Sequence, residues 1–224
     1  MITIEKTKVY GWEAAIRGMR NPMNSWEKSD TGWTDGFADG VKDWIDYDSE
    51  SGSVKVIGDN DHSLMMKLAQ GGSVHAKYRR MITVTCDITA PLYWWKEFDT
   101  YKVGTVANSC STMHKIHAKP FVLEDFSCER LHTPMGQSAF AMVVDALNNA
   151  RDNFLDTNSK VHWDEMIQLL PTSYNQKRTV QMNYEVLVGM FRDRKNHKLD
   201  EWHTLCDWIR GLPYSEIITG EVSH

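Results

Sequence analysis

Several sets of residues in this chain have types and spacings that could do chemistry. Lys77, Arg79 and Arg80 precede a β-branched run, and Lys102, His114, Lys115, His117 and Lys119 follow an aromatic stretch. If the small polar segment 103–117 folds back, these cations converge on a phosphate. Backbone N–H groups at Gly104 and the Ser/Thr run would add donors. Arginine is the better phosphate clamp because its guanidinium is planar and bidentate; a solvated basic surface is the plain alternative. Asn183 shares helical spacing with Val186, Leu187 and Met190. A buried amide there must bond either to backbone or to the edge of a planar ligand. Glu185 falls about 200° around such a helix from Asn183, on the side of Arg192. It reads as an ion pair or subunit contact, or as a carboxylate accepting from a donor edge such as a base amino group.

Cys110, His114 and His117 form C-x3-H-x2-H, a spacing open to a metal cluster, to a Cys/His nucleophile pair or to no role at all. Zinc needs three or four converging ligands, and one triplet in a loop falls short of that. A nucleophilic Cys110 would need exposure and a lowered pKa. In the pair Trp94-Trp95, helical geometry turns one ring inward and leaves the other for an interface or a flat ligand. No G-x-G-x-x-G follows a strand and no phosphate-loop lysine motif occurs, so the common dinucleotide and triphosphate folds are unsupported.

The elements that must position these groups can be read from patterning. Residues 2–10 alternate as a half-buried strand, and Ala14, Ala15, Ile16 and Met19 lie at helical spacing until Asn21-Pro22. A short helical piece is expected near Val41 to Ile45 and a strand near Val54 to Ile57. Asp61 is expected to cap a helix that ends at Gly71-Gly72. The run 81–88 (MITVTCDI) is the best strand, and Pro91 opens an aromatic helix. Residues 103–117 read as loop, and the last 90 residues as helical. There Phe140, Val143, Val144, Leu147, Ala150 and Phe154 form one stripe. Further helices span about 162–170, carry Val186 to Phe191, and run from about Leu199 to Ile209.

Without repeat, low-complexity tract or linker, residues 1–224 read as one α+β domain. Its 224 residues, 42% hydrophobic, suffice for a sizeable core. A net charge of −5 argues against a nucleic-acid polymer as partner, though not against nucleotides. Four dispersed cysteines indicate reduced thiols and a cytoplasmic setting. No secretory signal and no membrane-spanning run is expected. Nine tryptophans and twelve methionines read either as a core of large side chains or as rings of which some stack on a planar ligand such as a flavin or a base, and composition does not separate the two.

Two blocks resemble the flavin-dependent thymidylate synthase family. The first, HAKYRRMITVTCDITAPLYWWKEFDTYKVGTVANSCSTMHK, repeats the family's succession of a His, a strand, an Ala/Cys-Pro and a helix, with matching spacing from His75 to Pro91. Lys96-Glu97 stands near the family's Arg-Gln, and Thr100-Tyr101-Lys102 where R-H-R opens its signature R-H-R-x-x-S-x-N-E-x-S-x-R-Y. With one inserted residue, Asn108 and Ser111 meet the signature's Asn and second Ser. Ser109 then replaces its Glu, and Met113-His114 its Arg-Tyr. The second block, EMIQLLPTSYNQKRTVQMNYEVLVGMFRDRKNHKLDEW, matches the later family segment at Leu170-Pro171, Asn183 and Arg194. His197 with Asp200-Glu201 loosely echoes the family's short stretch after that arginine. Glu185 occupies the position of the Arg that the family uses against the uracil ring.

The resemblance implies a small, mainly antiparallel sheet packed with long helices, and assembly as a homotetramer. It implies FAD as cofactor, NADPH and a folate as co-substrates, and reductive methylation of dUMP or a related pyrimidine deoxynucleotide. Carried over position by position, it makes His75, Arg79, Arg80, Asn108, Ser111, Asn183 and His197 candidates for the cofactor. Lys96, Glu97 and Arg194 are then candidates for the substrate, and Lys102 and Glu185 for catalysis. The altered signature leaves open a catalytically silent relative that binds or sequesters a nucleotide.

Overall fold

A computed structural model describes residues 2–36 and 43–221. Its elements run β1 (Thr3–Tyr10), α1 (Trp12–Arg20), β2 (Gly32–Asp35), β3 (Asp46–Tyr47), β4 (Ser53–Val56), α2 (Asp59–Gln70), β5 (Thr83–Pro91), α3 (Leu92–Phe98), β6 (Val106–Ser109), α4 (Pro134–Thr157), α5 (Lys160–Leu169), β7 (Asn175–Asn183), α6 (Tyr184–Arg194), α7 (Asp200–Arg210) and α8 (Glu216–Thr219). One sheet has the order β1-β5-β7-β6 and a smaller one the order β2-β4-β3, with both pairs of the smaller sheet antiparallel. The architecture is α+β. No described helix is long and apolar enough to cross a membrane. The chain divides into two compact units. One is built chiefly on Asp87–Thr100 and Ala107–Thr179, the other on Ile4–Cys86, Tyr101–Val106 and the chain from Val180 onward.

In the first unit, the apolar stripe does what its period dictates. Val144, Leu147 and Ala150 of α4 are buried against Met166 of α5, Phe121 and Phe126. Thr133 caps α4 by accepting from the Gly136 N–H at 3.1 Å, with Pro134 in the first turn. The Asn148 amide clamps Phe121, accepting from its N–H at 2.8 Å and donating to its carbonyl at 2.9 Å. Trp94 and Trp95 are both buried, so neither faces outward as the pair's helical placement suggested. On this two-turn helix the rings pack edge to face at 4.9 Å, and Phe98 closes over both. The expected loop at 103–117 contains strand β6, and the expected helical C-terminal third is interrupted by β7.

In the second unit, α1 runs to Arg20 as expected, and the pattern near 54–57 is strand β4. Asp43 to Ile45 is not helical; Val41 and Lys42 lie outside the described residues. Asp61 does not cap α2. The cap contacts come from Asp30, whose carboxylate accepts from the N–H groups of Asn60 and Asp61 at 2.9 and 3.1 Å. Asp61 lies fully buried in the first turn. It accepts from Arg20 Nε at 2.6 Å, from the Ser29 and Thr31 hydroxyls at 2.6 and 2.7 Å, and from two backbone N–H groups. Arg20 in turn donates to the carbonyls of Ser25 and Lys28. Burial works against the Asp61 charge, but these donors together hold its pKa below the ordinary carboxylate value.

Candidate functional site

The second unit gathers most of the predicted residues. Residues 77–80 form a 3-10 turn whose approach is set by Gly72, with the N–H groups of His75 and Ala76 both donating to its carbonyl at 3.0 Å. Ala76, Tyr78 and Arg79 are buried; His75, Lys77 and Arg80 are exposed. Tyr78 anchors the turn by donating its hydroxyl to the Met65 carbonyl at 2.8 Å, and burial pushes its phenol up to about 12. A single turn therefore faces two ways. The inner face carries Tyr78 and Arg79, and the outer face carries Lys77 and Arg80, which make no ion pair or hydrogen bond to other described residues.

Arg79 reaches Glu185 in the first turn of α6, Nη1 to Oε2 at 3.5 Å. That is an ion-pair distance but a poor hydrogen bond. Arg79 Nε and Glu185 Oε2 are both buried without a hydrogen-bond partner. Glu185 is thus an ion pair, one of the readings its sequence position allowed. Asn183 corrects the reading that placed it on the apolar face of a helix. It ends β7 and caps α6, accepting from the Val186 N–H at 3.0 Å. The segment Tyr101–Val106 lies against this cap. Gly104 has φ of +79°, and a Cβ there would stand 2.9 Å from both the Asn183 amide nitrogen and Val186, so the close approach requires glycine. The neighbouring Thr105 hydroxyl is buried without a partner, whereas Lys102 is exposed.

Farther along α6, Arg194 donates Nε to the Tyr101 hydroxyl at 2.9 Å and lies 4.5 Å over the Trp202 ring. His197 packs edge-on to the same tryptophan at 6.2 Å, and its Nδ1 accepts from the Leu199 N–H at 3.2 Å. Two predicted residues thus meet around one aromatic ring.

Lys96, Glu97, Asn108 and Ser111 belong to the first unit. Lys96, Asn108 and Ser111 are exposed, and Glu97 is half-buried. The Ser111 hydroxyl accepts from the N–H groups of Met113 and His114, an ST turn that shapes the loop. Cys110 and His114 are exposed, and among the described residues no three His, Cys, Asp or Glu side chains gather as a metal site. Sequence reasoning missed Arg178 on β7. Its guanidinium lies 4.1 Å over Trp95 and donates to Asp99 at 2.7 Å and Gln176 at 2.9 Å, while Gln176 donates to the Cys110 carbonyl at 2.8 Å. A strand pattern at 175–183 would have exposed it, because alternation there puts Gln176, Val180 and Met182 inward.

No protein-family model matches this sequence, and no curated protein matches it. Solved structures do match. Thymidylate synthase X from Helicobacter pylori, crystallised with FAD and dUMP, aligns over 99% of this chain and 98% of its own, with a TM-score of 0.65 and 16% identity. A second structure of the Helicobacter pylori flavin-dependent enzyme, also complexed with FAD and dUMP, covers 97% of both chains with a TM-score of 0.64. The UMP/dUMP methylase PolB from Streptomyces cacaoi, bound with 5-Br dUMP, covers 98% of this chain and 95% of its own, with a TM-score of 0.57 and 14% identity. The chain has the flavin-dependent thymidylate synthase fold.

Within this thymidylate synthase X fold, two kinds of cation are available. Lys77 and Arg80 are exposed and make no ion pair or hydrogen bond to other described residues. Arg79 and Arg194 are held by protein groups, with fixed orientation and reduced freedom to follow a ligand.

Proposed function

We propose that this chain is a flavin-dependent enzyme that methylates a pyrimidine deoxynucleotide, dUMP or a close relative. The observation that carries the reading is the whole-chain match to structures holding FAD and dUMP. The residues present fit such a cofactor. Among the described residues, Arg79 Nε and Thr105 Oγ1 are buried donors without acceptors, and Lys77 and Arg80 stand exposed on the same turn as Arg79. In this reading His75, Arg79, Arg80, Asn108, Ser111, Asn183 and His197 are the cofactor-binding candidates. Lys96, Glu97 and Arg194 orient the nucleotide, and Lys102 and Glu185 lie nearest the chemistry.

Bound FAD would supply hydride chemistry, with NADPH as hydride source and a folate as one-carbon donor. The protein's part is electrostatic and positional. Arg194, stacked on Trp202, offers a fixed cation to a phosphate. Glu185, in the first turn of α6, sets the charge where the family has an arginine. We also assign a homotetramer acting in the cytoplasm, with the full chain as one domain of this fold. A catalytically silent nucleotide binder is the second reading, and the charge reversal at Glu185 favours it.

The absorbance of the purified protein tests the first reading. Flavin bands, or FAD binding on titration, are expected; a colourless protein that binds no FAD overturns it. Given flavin, tritium release from labelled dUMP separates the two readings. NADPH oxidation without tritium release would mean a different acceptor, and light scattering reads the tetramer.

A further inference from the structure

Arg194 is a long side chain, and its guanidinium must be ordered before it can orient a nucleotide. The second unit supplies that order with two aromatic rings. Trp202, in the first turn of α7, is fully buried, and the Arg194 guanidinium lies 4.5 Å from its ring centroid. The Tyr101 ring centroid is 5.5 Å from the same guanidinium and 6.1 Å from the Trp202 centroid, with the two rings inclined at 64°. The cation sits in the corner between them, within the roughly 6 Å over which an aromatic face attracts it.

Stacking alone leaves open which edge of the planar fork is presented. The Tyr101 hydroxyl decides this by accepting from Arg194 Nε at 2.9 Å. Nε carries a single proton, so a ligand oxygen can reach this guanidinium only through its Nη nitrogens. Tyr101 is itself held in place. It opens the segment Tyr101–Val106, which touches α6 at both ends: Tyr101 at its last residue, Arg194, and Gly104 at its cap, Asn183. Tyr101 and Arg194 are both half-buried. The hydroxyl is therefore a fixed point on a tied segment, and the guanidinium beside it keeps solvent access.

We propose that Tyr101 is a positioning residue for the substrate, its hydroxyl holding Arg194 so that the Nη end meets the nucleotide phosphate. This rests on the reading that Arg194 contacts the nucleotide. Ordering the arginine in advance removes a cost that binding would otherwise bear.

Titration of the full-length protein, supplied with FAD, with dUMP tests this, by calorimetry and by ligand-observed NMR where the heats are small. Tyr101→Phe keeps the ring and removes the hydroxyl. It should weaken dUMP about fivefold, the size of one side chain's ordering cost. Arg194→Ala should weaken it about tenfold or more. In the Arg194→Ala background, Tyr101→Phe should change dUMP affinity by less than about twofold, because the hydroxyl then has nothing to position. A hydroxyl with only a structural role would lower the melting temperature without this coupling. If Arg194→Ala weakens dUMP and Tyr101→Phe does not, or if Tyr101→Phe acts by the same factor in both backgrounds, the proposal is overturned and the nucleotide reading stands. If dUMP binds and Arg194→Ala leaves its affinity unchanged, the assignment of Arg194 fails and takes the proposal with it. Absence of dUMP binding by the unsubstituted protein overturns the nucleotide reading and the proposal together.

Discussion

Two arginine–carboxylate pairs in the second unit, one buried and one with its carboxylate half-buried, differ in completeness. Arg20 and Asp61 meet at 2.6 Å, and further donors from Ser29, Asp30 and Thr31 converge on the carboxylate. Arg79 and Glu185 meet at 3.5 Å, with a nitrogen and an oxygen left unbonded. Burial of a charge is repaid only when geometry and extra hydrogen bonds are good. The first pair meets that condition and ties α1, the loop after it and α2 together. The second does not, and its open valences lie in the part of the chain that carries the predicted cofactor residues. One pair is built for stability; the other keeps unused hydrogen-bonding capacity.

The largest effect should come from breaking the complete pair. Asp61→Ala strands the Arg20 guanidinium and several hydroxyl and N–H donors in the core. A loss of about 3–5 kcal/mol is expected in urea unfolding, as for other buried pairs that lose one partner. A loss below about 1 kcal/mol would mean that the network relaxes, and the contrast with Arg79–Glu185 would collapse.

Breaking the incomplete pair should cost less stability and more binding. Arg79→Ala is expected to lower stability by roughly 1–2 kcal/mol, because a long, looser pair contributes less and Glu185 keeps some solvent access. FAD affinity should fall at least tenfold. Glu185→Arg places two guanidiniums together and should destabilise, whereas the exchanged double variant Arg79→Glu with Glu185→Arg should recover most of that loss. If the exchange recovers nothing, the pair is not acting through its charge.

Asn183 sits two residues before Glu185 and sharpens the comparison locally. Asn183→Ala removes the cap of α6 and should cost about 1 kcal/mol. Asn183→Asp keeps the acceptor and should cost less; equal losses would show that the amide nitrogen facing Gly104, not the cap oxygen, is what matters.

The sequence made the periodic elements legible and hid the non-local ones. The stripe from Phe140 to Phe154 reads as a helix because its spacing alone selects one face. β7 was hidden by its composition: Gln176, Lys177 and Arg178 look like a solvent-facing run, yet Gln176 is buried, with Arg178 stacked on Trp95. Asn183 fell at helical spacing from Val186 and Met190 by coincidence of register, since the strand hands directly over to the helix. Asp61 looked like a cap because its partner Arg20 lies 41 residues away, beyond any local pattern. The scaffold was legible through the order of its blocks, from His75 to Pro91 and from Leu170 to Asn183. Of the candidate residues, the partner of Glu185 was not, because Arg79 is a hundred residues distant and adjacent to the exposed Arg80.

The smallest effect concerns pH, and it separates two neighbours on α2. His62 is 2.6 Å from Glu216, whose hydrogen bond raises the imidazole pKa, with burial opposing. A raised folded-state value means that this contribution is present in full below the unfolded pKa of about 6.5 and is lost as pH rises through the folded value. For Asp61 the sign reverses: its lowered pKa gives stability present above the unfolded value near 3.9 and lost as pH falls through the folded one. The melting temperature should therefore fall slightly on the alkaline side through His62 and more steeply at low pH through Asp61. His62→Gln should flatten only the alkaline limb, by roughly half a kcal/mol, because the imidazole is a third exposed and its ion pair is screened. A change in the acid limb on that substitution would mean that the two adjacent residues titrate as one network, and that the completeness of the Arg20–Asp61 pair extends to α8.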